Sequence, residues 1–297
     1  MLGPFKGIFK DHGVGVGVRR PYFEALLDPK LRSPVQWGEV ISENYLRWES
    51  GHRSPQLQKL IQVRKEIPIA LHGVSLSLGS TDPINKNYLN RLSELKEMIH
   101  PLWISDHLCW TGHGGHNIHD LLPVEMTQEA AEHIIGRIQY VQDYFGERIL
   151  VENVSSYVSF KHSQMKEWEF LNYIAQKADC GLLLDINNIY VSAINHSQDP
   201  YEFIESIDAH RVGQIHLAGH TDKGGFLIDT HDATICDPVW ALYKKFHAIN
   251  PYVSTMIERD DKHPPWHELQ NELKMIQEIK SKSHPLKKVS KDTPLEF

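Results

Sequence analysis

Residues 214–232 read QIHLAGHTDKGGFLIDTHD, which places three histidines and three aspartates in one short stretch. The preceding run, VGQIHLAGH, has the pattern of a buried strand, and His216, His220, Asp229 and His231 lie at its end or just beyond it. Imidazole and carboxylate groups gathered at one place can hold a metal ion. Singly, each is more often a hydrogen-bonded structural histidine or a helix-capping aspartate. The decision therefore rests on whether other parts of the chain deliver the same kinds of side chain to the same place.

Eight short apolar runs read as strands: 14–19, 37–44, 67–74, 102–108, 148–153, 181–187, 213–219 and 252–258. Most are continuous rather than alternating, as in sheets covered on both faces. Helical patterns lie between them. In residues 128–145, Ile134, Ile138, Val141 and Phe145 form one stripe. Ser54-Pro55, Asp199-Pro200 and Asp237-Pro238 carry helix-start signals, and Ser163 reads as a further cap. Strand and helix in eightfold alternation predict an α/β fold, a (β/α)8 TIM barrel, with a doubly wound open sheet as the alternative. The barrel is expected to occupy residues 1–282, followed by a polar tail at 283–297.

In such barrels, chemistry gathers at the C-terminal ends of the strands. Six successive strands deliver candidates there: His72; Asp106 and His107; Glu152 and Asn153; Asp185 with Asn188 after it; His216 with His220, Asp229 and His231 in the following loop; and Glu258. A ring of carboxylates and imidazoles facing one cavity without a cation is costly, because like charges are desolvated together. The donors are nitrogen and oxygen without thiolate, which suits Fe, Mn or Zn. They are too many for one ion and enough for two or three, with Glu152 placed centrally to bridge.

The other features read as structural. His52, His100, His133, His162, His210, His247, His263, His267 and His284 fall on helix or loop stretches and are expected at the surface. HGGHNIHD (113–120) reads as a flexible polar loop, with the entrance to the site as the alternative. GVGVGVR lacks a helix-opening G-x-G-x-x-G, which argues against a dinucleotide site; its glycines suit a tightly packed barrel strand. HGVSLSLGS lacks a strand–elbow–helix nucleophile pattern. Cys109, Cys180 and Cys236 form no C-x-x-C, so a disulfide framework is not expected, and Cys109 reads as a core thiol. The formal net charge of -7 and the lack of a basic stripe argue against a nucleic-acid partner. No apolar run is long enough to span a membrane, and no secretory h-region stands at the start, so a cytoplasmic location is expected.

The strings LHGVSLSLGS, ISDHLCW, LLPVEMT, LVENVSSY, GLLLDINNIYVSAINH, IHLAGH, LIDTHD and DPVWALY resemble the multinuclear non-heme iron-dependent oxidative enzyme (MNIO) family, long labelled uncharacterised, over residues 12–278. The resemblance implies a xylose-isomerase-like TIM barrel holding two or three irons. It also implies O2-dependent modification of cysteine in a ribosomally made precursor peptide, usually with a separate protein that presents the peptide. It places metal binding on His72, His107, Glu152, Asp185, Asn188, His216, Asp229, His231 and Glu258, with Glu152, Asp185 and His216 at the catalytic core. The ligand order also resembles the endonuclease-four type of barrel, which has histidine at the position of Asn188. A zinc or manganese phosphodiesterase and a sugar isomerase are the alternative activities.

Overall fold

The computed structural model describes residues 9–46 and 54–283. His52, His284 and the tail from residue 284 onward lie outside the described residues. All eight expected strands are present. In chain order they are Val14–Gly17, Trp37–Ile41, Ile69–Gly73, Ile104–His107, Leu150–Glu152, Gly181–Asp185, Val212–Leu217 and Ser254–Ile257. Each pairs in parallel with its sequence neighbours, and the first pairs with the eighth, closing the barrel. We refer to them as strands one to eight.

The helices form because their apolar stripes must be covered. In Gln128–Phe145, the side chains of Ile134, Ile138, Val141 and Phe145 are all buried against the barrel, each worth about 1.5–3 kcal/mol. Thr127 caps this helix through the Ala130 amide, and Gly146, in the left-handed region, ends it. Ser54 caps Pro55–Glu66 through the Leu57 amide at 3.1 Å. Asp199 caps Pro200–Ser206 through the Tyr201 amide. Two expected starts differ. The helix Glu167–Ala178 begins four residues after Ser163, whose hydroxyl accepts the Met126 amide instead; Glu169 reaches back to the Lys166 amide. Asp237 lies inside its helix, Asp237–Ile249, and the capping position is Cys236, which makes no side-chain cap bond. Helices Lys86–Ile99, Ile186–Asn195 and Trp266–Ser283 also belong to the outer layer.

Along the barrel interior the side chains form layers. The floor is apolar: Trp37, Ala70, Trp103, Leu150, Leu183 and Met256 pack together. Gly15 makes room for it, since a Cβ there would sit 2.3 Å from the Trp37 indole. Above the floor, every second residue of a strand again points inward. That parity selects Glu39, His72, Ser105, His107, Glu152, Asp185, Gln214 and His216, and in the same series Glu258 just past strand eight; all are buried.

The stretch 113–120 is not a flexible loop. Trp110–His113 and His116–Leu122 form an antiparallel hairpin, turning on Gly114 and Gly115, both at positive φ. Two consecutive positive φ values are what a two-residue hairpin turn requires, and glycine supplies them without steric cost. His247 is buried rather than on the surface. It follows Tyr243 by four residues on the inward face of its helix, with ring centroids 5.8 Å apart. His263 is half-buried against Tyr22, whereas His100, His133, His162, His210 and His267 are exposed. Among the described residues, no helix is long and apolar enough to cross a membrane.

Candidate metal centre

Strand register brings the interior side chains together. His107 is the neighbour of Glu152 across strands four and five, and Asp185 is the neighbour of His216 across strands six and seven. Glu152 sits at the centre. Its Oε2 is 3.1 Å from His72 Nε2 and 3.2 Å from His107 Nε2. Its Oε1 is 3.2 Å from His216 Nδ1. The same nitrogen of His216 is 3.0 Å from Glu258 Oε2 and 3.9 Å from Asp185 Oδ2. Two donor sets therefore meet at one carboxylate: His72, His107 and Glu152; and Glu152, Asp185, His216 and Glu258.

A third set lies toward the mouth. His231 Nε2 is 2.7 Å from Asp229 Oδ1 and 3.8 Å from Asp185 Oδ2. Asn188 is buried one turn into the helix that starts immediately after strand six. Asp185 caps that helix through the Asn188 amide at 2.7 Å. The Asn188 side-chain nitrogen donates to the Asn153 carbonyl, and its oxygen has no partner. His231 Nδ1 forms a further grouping with Glu258 and Asp260. That nitrogen also has the Asp260 carboxylate at 3.2 Å, so Nε2 is the nitrogen directed toward Asp229 and Asp185.

The surrounding partners orient the imidazoles. His107 Nδ1 lies 3.0 Å from the Gly73 carbonyl, and His72 Nδ1 lies 2.8 Å from the Ser105 hydroxyl. A carbonyl only accepts, so Nδ1 of His107 carries a hydrogen and Nε2 is the nitrogen directed toward Glu152. His216 is held the opposite way round: Nε2 faces Glu39 Oε1 at 2.8 Å and Nδ1 faces the cluster. Glu39 is steadied by the Gln214 amide at 2.6 Å, which in turn accepts from the Trp103 indole. Asp260, the partner of His231, is held by Arg19 at 2.6 Å. A ring nitrogen fixed by a carboxylate or carbonyl, with the other nitrogen directed inward, is the arrangement of metal-ligating histidines.

Burial opposes ionisation of the Glu152 carboxyl, yet the imidazoles of His107, His216 and His72 outweigh it and hold it at about 2. Glu258 is likewise held well below the carboxylate range, against burial, by His216 and His231. Burial acts against charged His216 and His231 too. Their carboxylate partners prevail, and both are raised well above the usual imidazole value. Asp185 goes the other way: burial, with Asp229 and Glu152 beside it, raises it well above the usual range. The cluster without cations thus retains protons that a cation can replace. Four of its buried atoms make no well-directed hydrogen bond: Asp185 Oδ2, Asn188 Oδ1, Glu152 Oε2 despite the imidazoles near it, and His231 Nε2 despite the approach of Asp229. Leaving a buried polar atom unsatisfied costs about 1–3 kcal/mol. Four such atoms among these donors fit a site built for cations.

Several candidates at the strand ends do not join the cluster. Asp106 has the opposite parity to His107 and faces outward, accepting from the amides of Leu76 and His107; burial and then Glu43 raise it to about 7. Asn153 pairs with the backbone of Asp185. His220 is 2.8 Å from Asn187 Oδ1, and Asn187 donates to Asp229 at 2.7 Å, so His220 braces a candidate ligand from behind. Cys109 is buried, and burial pushes its thiol well up, as for a core thiol. Reasoning from strand ends alone misses Glu39, Gln214, Asn187 and Asp260. Glu39 is recognisable as a lone carboxylate sharing the inward parity of Trp37.

The cluster opens into a cavity of ≈ 190 Å³ walled by Ile41, Val74, Leu121, Val154 and Tyr157, with His72, His107, Asn188, Asp229, His231 and Glu258 facing it. A larger depression of ≈ 640 Å³ around Tyr88 and Arg91 shares no residue with it.

Known proteins resemble this chain in both sequence and fold. A UPF0276 protein of Anaeromyxobacter sp. strain Fw109-5 is 49% identical over 91% of this chain and 93% of its own length. One from Caulobacter vibrioides is 48% identical over 88% and 91%. Among solved structures, endonuclease IV from Thermus thermophilus superposes with a TM-score of 0.60 at 14% identity, covering 90% of this chain and 99% of that one. A xylose isomerase domain-containing protein of Salmonella typhimurium gives 0.62 at 12% identity, over 90% and 97%. At such low identity these structures establish the xylose-isomerase-like barrel and nothing about activity. The sequence profile of RiPP precursor modification enzymes MbnB/TglH/ChrH, which act on precursors of ribosomally made, modified peptides, matches residues 13–281. By that match and those relatives, the chain belongs to the RiPP precursor modification enzyme MbnB/TglH/ChrH family.

Proposed function

We propose that the protein is an iron-dependent oxidoreductase that uses O2 to modify cysteine residues of a ribosomally made precursor peptide. The observation that carries this reading is Glu152, fully buried, with one oxygen directed to His72 and His107 and the other to His216. A carboxylate so placed is suited to bridging two ions. In this reading His72, His107 and Glu152 hold one iron, and Glu152, Asp185, His216 and Glu258 hold a second. Asn188, Asp229 and His231 hold a third; zinc or manganese would fit the same donors.

Such a centre supplies a Lewis acid for a cysteine thiol and electrons for O2. The chain's own residues do the rest. Glu39, Ser105 and the Gly73 carbonyl fix the three innermost imidazoles, so the centre is organised before substrate arrives. Ile41, Val74, Leu121 and Val154 give the cavity apolar walls that limit water around a reactive thiol. The cavity opens on the rim, where a cysteine on an extended peptide can enter. A separate protein that presents the peptide, and a cytoplasmic setting, complete the proposal.

A zinc or manganese phosphodiesterase and a sugar isomerase remain the alternatives. The ligand order speaks for the first, and only the shared barrel for the second. The net charge of -7 and the family membership favour a peptide over nucleic acid. The test is aerobic incubation of iron-loaded protein with the precursor peptide and partner encoded beside its gene, followed by mass spectrometry. A mass change confined to cysteine-containing fragments is expected. An unchanged peptide, with abasic DNA nicked in the presence of zinc, would overturn the proposal.

A further inference from the structure

The cavity above the cluster is small. At ≈ 190 Å³ it falls below the about 300–1,000 Å³ of pockets that engulf a drug-sized ligand. It has room for one side chain and a small co-substrate, so the residues flanking a reacting cysteine must lie outside it. Tyr157 marks where. It walls the cavity, and its ring also meets Phe226 outside, with centroids 5.8 Å apart at 44°. Tyr157 is 39% exposed, Phe226 41% and the adjoining Val158 54%. Contiguous apolar surface left in water is a feature of interaction sites and ligand-binding grooves.

These groups are held in place rather than merely exposed. The segment carrying Tyr157 is anchored at Ser156: its amide donates to the Ser192 hydroxyl at 2.9 Å, and its carbonyl lies 3.0 Å from His196 Nε2. Thr221–Asp222 and Leu227–Ile228 pair antiparallel, and the connection between them, which carries Phe226, is anchored at Leu227, whose amide and carbonyl both bond the Asn195 side chain, at 2.8 and 2.9 Å. Ser192, Asn195 and His196 are the last turn and cap of the helix Ile186–Asn195, which begins at Asp185 and carries Asn188. The same helix therefore sets two cluster residues at one end and both halves of the aromatic pair at the other. The Tyr157 hydroxyl ties the pair back to the cluster by accepting the Asp229 amide at 3.0 Å.

We infer that Tyr157 and Phe226, extended by Val158, form a docking platform for an apolar residue flanking the reactive cysteine of a peptide substrate. The platform rests on the peptide-oxidase reading above and adds a specificity determinant to it. Its occupant is a short extended peptide, because the platform is continuous with the cavity and that cavity is too small for more than one residue. The backbone passes over the rim, the cysteine side chain descends between Tyr157 and His231, and the neighbouring apolar side chain lies on the ring pair. Such a contact selects a side-chain type without taking part in the chemistry.

The test uses full-length, iron-loaded protein together with the peptide-presenting partner encoded beside its gene, and a pooled library of synthetic nonapeptides with a central cysteine and randomised flanks. Bound peptides are recovered under argon and sequenced by mass spectrometry, and the metal content of each preparation is measured. The wild type is expected to enrich peptides with an aromatic or aliphatic residue on one flank. Phe226→Ala is expected to reduce that enrichment about tenfold at unchanged metal content, and Tyr157→Phe, which keeps the ring, to retain it. Enrichment of cysteine peptides without flank preference, or an identical preference in Phe226→Ala, overturns the platform alone. Failure of the wild type to retain any cysteine peptide over its metal-free form overturns both the platform and the reading on which it rests.

Discussion

Glu39 Oε1 lies 2.8 Å from His216 Nε2 in the fully buried interior of the barrel, one layer below the cluster. That contact leaves only Nδ1 of His216 for a ligand, pointing among Glu152, Asp185 and Glu258. Glu39→Gln keeps the size of the side chain and removes its charge. Loss of an outer partner typically lowers metal affinity about 10–100-fold, and a drop in that range is expected here. Competition with a chelator, followed by elemental analysis, measures it. Affinity equal to wild type would show that Glu39 only fills space.

The proton inventory of the cluster sets a pH dependence. In the metal-free protein, the raised imidazoles of His216 and His231 contribute stability that is fully present below 6.5 and lost as pH rises through their raised values. The depressed carboxylates of Glu152 and Glu258 contribute stability present above 4.5 and lost as pH falls, toward about 2 for Glu152. On the proposed reading, cations would replace the protons on His216, His231 and Asp185, so binding would release protons and tighten as pH rises. The difference in melting temperature between metal-loaded and metal-free protein is expected to widen from about pH 6 to about pH 8.5. A constant difference would mean that the cluster binds without deprotonation.

Asn188 offers one unpartnered buried oxygen and lines the same cavity as Asp229 and His231. Asn188→Ala removes it and is expected to lower the metal content by about one ion per chain, with the other sites retained. Asn188→His replaces a neutral oxygen with imidazole and is expected to hold the outermost ion more tightly. Equal metal content and affinity in all three proteins would exclude Asn188 as a ligand.

The barrel floor governs stability rather than chemistry. A Cβ at Gly15 would fall 2.3 Å from the Trp37 indole, which is fully buried and in contact with Trp103. The ring is packed among Ala70, Trp103, Leu150, Leu183 and Met256. Gly15→Ala is expected to destabilise the fold by about 1–3 kcal/mol, read from denaturant unfolding of the metal-free protein. No change in the midpoint would mean that the floor is loosely packed.

The eight strands and most of the cluster are legible in the sequence because barrels place function at strand ends, and strand ends can be read from apolar runs. Parity is harder to read. Asp106 and His107 both end strand four, but only alternate residues enter the barrel, so one faces the cluster and the other the helices. The same rule identifies Glu39, which lies two residues before the end of strand two and so escapes a search of strand ends. The pairing of Asp260 with Arg19 joins residues 241 apart in the chain, and no local pattern announces it. The hairpin at 110–122 reads as a loop because its strands are mostly exposed and polar, which removes the apolar signal; only Gly114-Gly115 marks the turn.

Anomalous diffraction at the iron edge, from crystals of protein purified without added metal, tests the shared centre most directly. Two strong peaks on either side of Glu152 are expected, one within bonding reach of His72 and His107, the other within reach of Asp185, His216 and Glu258, with a third near Asn188, Asp229 and His231. A single ion, or ions that leave Glu152 uncoordinated, would contradict it.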